Sequence, residues 1–236
     1  MRYALYFAPA ASHPLWRRGN VWLGRDAESG RAFVAPDVPG LGAEDVEALT
    51  AAPRHYGLHA TIKAPFRLAE GRDETELLAR IDEFCSRQRP FTLPSLAVKP
   101  LDDFIALQTQ QPCPKLHALA DACVAEFDEF RAPLRAAELA RRRADALDAN
   151  AAARLARWGY PHVFEGFRFH LTLTGNVSPE VQAMLLPWLT DHFAPALKTP
   201  CRCDGLALFI EPFAGAPFRL VRRVAFAAKT MTCAAA

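Results

Sequence analysis

Between residues 167 and 174 apolar and polar side chains alternate strictly, with Phe167, Phe169, Leu171 and Leu173 set against Arg168, His170, Thr172 and Thr174. Successive side chains of an extended chain point to opposite faces, so the segment predicts a half-buried strand whose polar row faces outward. The same alternation occurs in "YGLHATIKAPF" at 56 to 66, where Leu58, Ala60 and Ile62 face a core and His59, Thr61 and Lys63 share the other side. One His-x-Thr is an ordinary wet strand face. Two, on matching strands, require a common reason.

The elements around the two strands recur in the same order. "RYALYFA" at 2 to 8 predicts a strand ended by Pro9, and the Pro- and Gly-punctuated segment to about residue 53 reads as loop with one short helix at "AEDVEALT". After the first motif, Leu77, Leu78, Ile81 and Phe84 recur at helical spacing, then "FTLPSLAVKP" and "FIALQTQ" predict a strand pair joined across "LDD". After the second, "PEVQAMLLPWLTDHF" is helical with Pro179 in its first turn, and "CDGLALFIEP" and "FRLVRRVAFA" predict strands. His59 and His170 lie 111 residues apart, and that offset carries the first helix and strand pair approximately onto the second set. From about 114 to 158 the chain reads as helical, first with Leu116, Leu119, Cys123, Val124 and Phe127 on one side and then Ala- and Arg-rich. Its Arg141 to Arg143 run reads as a solvated helix face, because acidic residues are interspersed and no aromatic platform accompanies it.

Composition narrows the function. A 51% hydrophobic content over 236 residues is ample for a core without staples. A formal charge of +2 is well short of the excess needed to grip long nucleic acid, although a small anionic ligand fits. The six cysteines, Cys85, Cys113, Cys123, Cys201, Cys203 and Cys233, show no Cys-x-x-Cys and read as reduced thiols, with Cys201-x-Cys203 as buried small residues rather than half a metal site. No apolar run suits a signal peptide or a membrane span, so the expectation is a soluble, cytoplasmic protein.

Two imidazoles facing each other across a groove could divide acid–base work. One neutral ring takes a proton from a nucleophile while the other gives one to a leaving oxygen, an arrangement suited to in-line displacement at phosphorus. Hydroxyls of Thr61 and Thr172 would donate to non-bridging phosphate oxygens, and Lys63 would add positive charge. Neither strand sets an Asp or Glu beside its His, so neither a metal nor another cofactor is expected. The sequence also lacks Gly-x-x-x-x-Gly-Lys-Ser/Thr, Gly-x-Gly-x-x-Gly, His-Glu-x-x-His and Gly-x-Ser-x-Gly. Of the other histidines, His117 and His192 read as surface or helix-face residues and His55 and His162 as near-site positions; His13 has no repeated context.

"HATI" and "HLTL", one per half, resemble the 2H phosphoesterase superfamily with its paired His-x-Thr/Ser motifs. The wider segments "WLGRDAESG", "YGLHATIKAPFRLAE" and "WGYPHVFEGFRFHLTLTG" are similar to its phosphonate-metabolism branch, DUF1045. The resemblance implies a bilobal, pseudo-twofold α+β fold over 1–236, with an antiparallel sheet flanked by helices in each lobe. Lobe one would span about 1–113, a helical insertion about 114–158 and lobe two about 159–230, with the active-site groove between the lobes. It further implies metal-independent hydrolysis of a small cyclic phosphodiester of the 2',3'-cyclic nucleotide or ribosyl cyclic phosphate type. His59 and His170 would be the catalytic acid and base and Thr61 and Thr172 substrate ligands; Lys63, Tyr56 and Arg168 flank the motifs as further candidate substrate-binding residues. The alternatives are a module that holds nucleotide or RNA ends without turnover and a 2'-5' RNA ligase-like activity. Expected partners are a small anionic cyclic phosphate, with no membrane, no long nucleic acid and no obligate protein partner.

Overall fold

A computed structural model describes residues 1–143 and 147–227; the side chains of Arg141 to Arg143 and the whole of Cys233 lie outside what it describes. The first strand forms as its alternation requires: β1 (Arg2–Phe7) is buried from Tyr3 to Phe7. The segment expected to be loop with one short helix carries two: α1 (Pro14–Leu23), which was not expected, and α2 (Ala43–Tyr56), which contains the expected "AEDVEALT" and runs on to Tyr56. Local chemistry delimits α1. The His13 Nδ1 accepts the Leu15 N–H at 3.1 Å, Pro14 occupies the first turn, where a missing N–H costs nothing, and Gly24 ends the helix at φ 75°.

β2 (Ala60–Phe66) carries the first motif and is followed by α3 (Glu74–Arg87), whose capping box joins the Asp73 carboxylate to the Glu76 N–H at 2.9 Å. Then come β3 (Phe91–Thr92), β4 (Leu96–Leu101) and β5 (Phe104–Thr109). The stretch expected to be helical is three helices, α4 (Pro114–Glu126), α5 (Ala136–Arg143) and α6 (Ala149–Trp158), interrupted after Phe130 where Pro133 cannot continue a helix. All five apolar residues read as its inner stripe are buried. β6 (His170–Thr172), α7 (Pro179–Leu197), β7 (Arg202–Cys203), β8 (Gly205–Glu211) and β9 (Arg219–Ala225) repeat the order of the first half.

Both main sheets are antiparallel, and each takes strands from both halves of the chain. One has the order β2-β1-β8-β9 and the other β4-β5-β6. Each motif strand therefore shares a sheet with the strand pair of the other half, β2 through β1 and β6 directly, so the sheets do not follow the sequential partition into 1–113 and 159–230. The short ladder β3–β7 pairs Phe91 with Cys203 and Thr92 with Arg202, and the 111-residue offset carries the one two-residue strand onto the other. Exchange of strand pairs makes neither half a complete sheet alone, and a single continuous core runs through both. Both motif strands are edge strands and lie in contact with each other. Two sheets that meet along the edges bearing the motifs leave a groove there.

Candidate active site

The groove, of about 400 Å³, is lined by His59, Thr61, His170, Thr172 and Tyr56, so five of the seven expected site residues converge on it. Each histidine is oriented by the same device. The His59 Nδ1–H donates to the Gly57 carbonyl at 2.9 Å, and the His170 Nδ1–H donates to the Arg168 carbonyl at 2.7 Å. A carbonyl can only accept, so each Nδ1 holds a proton and each Nε2 is left for chemistry. Thr61 Oγ1 lies 3.4 Å from His59 Nε2.

The local sequence explains how His59 is held. Gly57 has φ 82°, a backbone state that costs an L side chain dearly, and a Cβ there would stand 2.5 Å from the Ala27 Cβ. Gly19 of α1 lets the Leu58 side chain approach so closely that a Cβ would meet it at 2.4 Å. Two glycines thus seat the residues on either side of the carbonyl that aims His59. Above the ring, Tyr6 stacks on His59 with centroids 3.9 Å apart, and Tyr56 lies 5.7 Å away. His170 has Phe104 at 5.5 Å.

Burial dominates the electrostatics of both rings. It lowers the His59 pKa to about 4, against a raising effect from the Gly57 carbonyl, and His170 lowers it further. The His170 pKa is also lowered, first by burial and then by the positive charges of Arg168 and His162, against the raising effect of its carbonyl partner and Asp102. No carboxylate lines the groove; its one permanent charge is Arg2, among the described residues.

Two expected site residues lie elsewhere. Lys63 was placed in the His59 row by strict alternation, but β2 carries bulges: Tyr6 pairs with Thr61, Leu5 with Lys63 and Tyr3 with Phe66. An extra residue in one strand reverses which face the next side chain takes. Lys63 therefore joins Leu5 on the buried side, 3% exposed, where Nζ donates to the Val124 carbonyl at 3.0 Å and lies 3.6 Å from Asp128. Burial lowers its pKa to about 8. Arg168 precedes β6 and turns outward to Asp102 in the β4–β5 turn, at 2.7 Å, so only its carbonyl serves the site. Thr174 accepts the Ile105 N–H at 3.0 Å, fully buried.

Alternation in β1 could have revealed what was missed: Arg2 and Tyr6 fall on one face of that strand, and both line the groove. Phe104 and Tyr160 complete an aromatic wall. His55 stands behind Tyr56, 4.9 Å away, and near Glu211 rather than in the groove; His162 is exposed. His192, read as a surface or helix-face residue, lies on α7 and stacks on Trp188 at 4.7 Å. Cys85, Cys113, Cys123, Cys201 and Cys203 are free and buried, and the described residues contain no group of three His, Cys, Asp or Glu placed to hold a metal ion.

A family model described as a protein of unknown function, DUF1045, matches residues 61–219. The chain belongs to the DUF1045 family. The matched span includes Thr61, His170 and Thr172 and begins two residues after His59. Among curated proteins, this DUF1045 chain is 42% identical over 229 residues to the ribose 1,5-bisphosphate phosphokinase PhnN of Janthinobacterium sp. (strain Marseille), covering 95% of this chain and 51% of that protein. It is 40% identical over 226 residues to the protein of the same name from Laribacter hongkongensis (strain HLHK9), covering 95% and 52%. The chain spans about half the length of the curated relatives it matches. Among solved structures, E. coli LigT complexed with 3'-AMP aligns with a TM-score of 0.43 at 16% identity, covering 95% of this chain and 97% of that one. The same protein complexed with NADP+ aligns with a TM-score of 0.36, also at 16% identity, covering 96% and 97%. No helix among the described residues is long and apolar enough to cross a membrane.

Proposed function

We propose that this DUF1045 chain is a metal-independent phosphodiesterase that opens a small ribosyl cyclic phosphate. The observation that carries the reading is the pair of His-x-Thr strands, drawn from two different sheets, whose imidazoles and hydroxyls face one groove with both Nδ1 atoms tied to backbone carbonyls. Each Nε2 then stays outside the bond to the carbonyl, and in the proposed reaction the two rings act on opposite sides of the phosphorus, as in-line attack needs.

In the proposed reaction a water oxygen attacks phosphorus. The neutral His59 Nε2 takes the water proton, one ring P–O bond breaks, and the leaving oxygen takes a proton from His170 Nε2. One water is consumed, and the product is a phosphomonoester beside a free hydroxyl. His59 suits the base role because its pKa of about 4 keeps it deprotonated near neutrality. Thr61 and Thr172 donate to the non-bridging oxygens, and an anion in the groove raises the pKa of both imidazoles, which favours the protonated acid.

The relatives' name supports a ribosyl substrate. A 1,2-cyclic phosphate of ribose cleaved at the 2-oxygen leaves a 1-phosphate, and with a 5-phosphate already present the product would be ribose 1,5-bisphosphate. The phosphokinase activity in that name concerns proteins about twice this length, and this chain has no Gly-x-x-x-x-Gly-Lys-Ser/Thr loop to cradle a nucleotide triphosphate. The aromatic wall of Tyr6, Tyr56, Phe104 and Tyr160 would equally accept the base of a 2',3'-cyclic nucleotide. The test is a screen of the purified chain, with chelator present, against ribosyl cyclic phosphates and 2',3'-cyclic nucleotides, read by phosphorus NMR. A monoester resonance growing from one of these classes is expected; turnover only after a divalent ion is restored, or no turnover of any cyclic phosphate, overturns the reading.

A further inference from the structure

Arg2 has an arrangement that the acid–base chemistry does not use. It is on β1, four residues before Tyr6, so strand rise places its Cα about 13 Å along the groove from the Tyr6 Cα that pairs with Thr61. Between them Tyr56 lines the groove, backed by the fully buried Phe218, on which it stacks with centroids 5.1 Å apart and which lies 5.5 Å from the Arg2 guanidinium. Arg2 therefore marks the end of the groove away from the motif row.

The guanidinium is fixed from behind. Glu211, 1% exposed, accepts from Arg2 Nε at 2.5 Å and from Nη2 at 2.8 Å; the Gly215 N–H also donates to it, at 3.1 Å, and His55 Nε2 stands 3.9 Å away. Burial works against the ionised carboxylate, but the Arg2 hydrogen bonds, the Gly215 N–H and the nearby positive charges together hold its pKa below the usual range. Both hydrogen bonds use one edge of the guanidinium, through Nε and Nη2, and leave Nη1 outside that pair on a residue that lines the groove. A buried carboxylate that pins an arginine by one edge sets the plane in which its other edge receives an oxyanion.

We infer that Arg2 is the anchor for a second, non-reacting phosphoryl group of the substrate, and that the enzyme selects cyclic phosphates carrying a further phosphate, at the 5-position of a ribosyl substrate, over those with a bare hydroxyl. This rests on the proposed phosphodiesterase reading. The sugar would lie along Tyr56, with the cyclic phosphate between His59 and His170 and the second phosphate at Arg2. Because Glu211 offsets the guanidinium charge, the anchor acts through directed hydrogen bonds and discriminates by about ten- to a hundredfold, the scale of a charge-assisted hydrogen bond.

The experiment compares a ribosyl 1,2-cyclic phosphate with a 5-hydroxyl and the same compound with a 5-phosphate, in steady-state kinetics of the wild type, Arg2→Met and Arg2→Lys. The expected result is a wild-type preference for the 5-phosphate of about tenfold or more in kcat/KM, expressed mainly in KM. Arg2→Met abolishes it, and Arg2→Lys, which keeps the charge without the fork, retains part. Since Arg2→Met strands a buried carboxylate, the double variant Arg2→Met with Glu211→Gln is measured beside it, and each variant's melting curve shows that it is folded. A wild type without preference, an Arg2 variant that keeps it, or an equal loss for both compounds, as a purely structural ion pair would give, overturns the inference. If neither compound is turned over, the ribosyl 1,2-cyclic substrate fails, and the phosphodiesterase reading is decided by the wider screen of cyclic phosphates. Calorimetric binding of ribose 5-phosphate against ribose then decides the anchor, which requires tighter binding of the phosphate and loss of that difference in Arg2→Met.

Discussion

β2, with His59 just before it, and β6 share the His-x-Thr pattern and the same imidazole-to-carbonyl bond, yet little else about them is alike. β2 runs seven residues, is bulged, and presses His59 beneath Tyr6; β6 runs three residues and leaves His170 beside Phe104 at a wider spacing. The carbonyl partner of His59 belongs to a glycine in a left-handed backbone, and that of His170 belongs to an arginine whose side chain points to solvent. What the two strands share is therefore only what the proposed chemistry requires, a ring fixed through Nδ1 and a hydroxyl two residues on. Their surroundings differ, and in the proposed reaction the two rings take unequal roles.

The most severe way to break this comparison is to remove one ring at a time. His59→Ala and His170→Ala should each lower turnover by about 10² to 10⁴, with the double variant little worse than either because the pair acts as a unit. Near-wild-type turnover in one of them would show that the strands are not a pair. Thr61→Val and Thr172→Val keep a β-branched shape and remove one donor each, so steady-state rates should fall roughly tenfold to a hundredfold. A loss confined to one side would mean that only one hydroxyl reaches the phosphate.

Gly57→Ala probes the asymmetry itself. The added Cβ meets Ala27 and the backbone cannot keep φ 82° without strain of about 1 to 3 kcal/mol, so the carbonyl shifts. The melting temperature should drop and turnover should fall about tenfold beyond any unfolding; an unchanged rate in the folded protein would deny the carbonyl its aiming role. The pH profile of kcat/KM sharpens the division of roles. The base stays neutral down to about 4, and the acid loses its proton as pH rises through a value lowered from 6.5. The rate should therefore peak on the acidic side of neutrality and fall about tenfold per pH unit above that pKa. A profile rising to pH 8 would contradict it.

The smallest catalytic effect is expected at Lys63. Its pKa is lowered to about 8 by burial, so the unfolded chain binds its proton more readily and wild-type stability rises as pH goes from about 8 to 10.5. Lys63→Met should abolish that rise, keep or increase stability at pH 7, and leave the rate per folded molecule within about twofold. Asp128 still has Arg131 at 2.7 Å and Arg157 at 3.1 Å in the variant. A large loss of turnover would return Lys63 to the chemistry.

The sequence showed the parts of the site that depend on local pattern. His59, Thr61, His170 and Thr172 follow from alternation alone, and so do the core-facing Leu171 and Leu173. Lys63 was misplaced because a bulge is a property of the pairing between strands, and nothing within 59 to 63 announces it. The exchange of strand pairs is equally a matter of long-range partners: β4 and β5 look the same in sequence whichever motif strand they join. α1 was legible in hindsight, since His13, Pro14 and Gly24 are a cap, a first-turn proline and a left-handed stop, but loop-like Pro and Gly content masked them. Arg2 was visible on the β1 face and lacked only the knowledge that β1 lies beside β2.

If two edge strands from two sheets close on one phosphorus, a crystal structure of the protein with bound vanadate, a mimic of the five-coordinate phosphorus, will show it. One vanadate is expected in the groove, with His59 Nε2 and His170 Nε2 on opposite sides of it and the Thr61 and Thr172 hydroxyls on its equatorial oxygens. Vanadate bound elsewhere, or held by one motif strand with the other histidine out of reach, would contradict it.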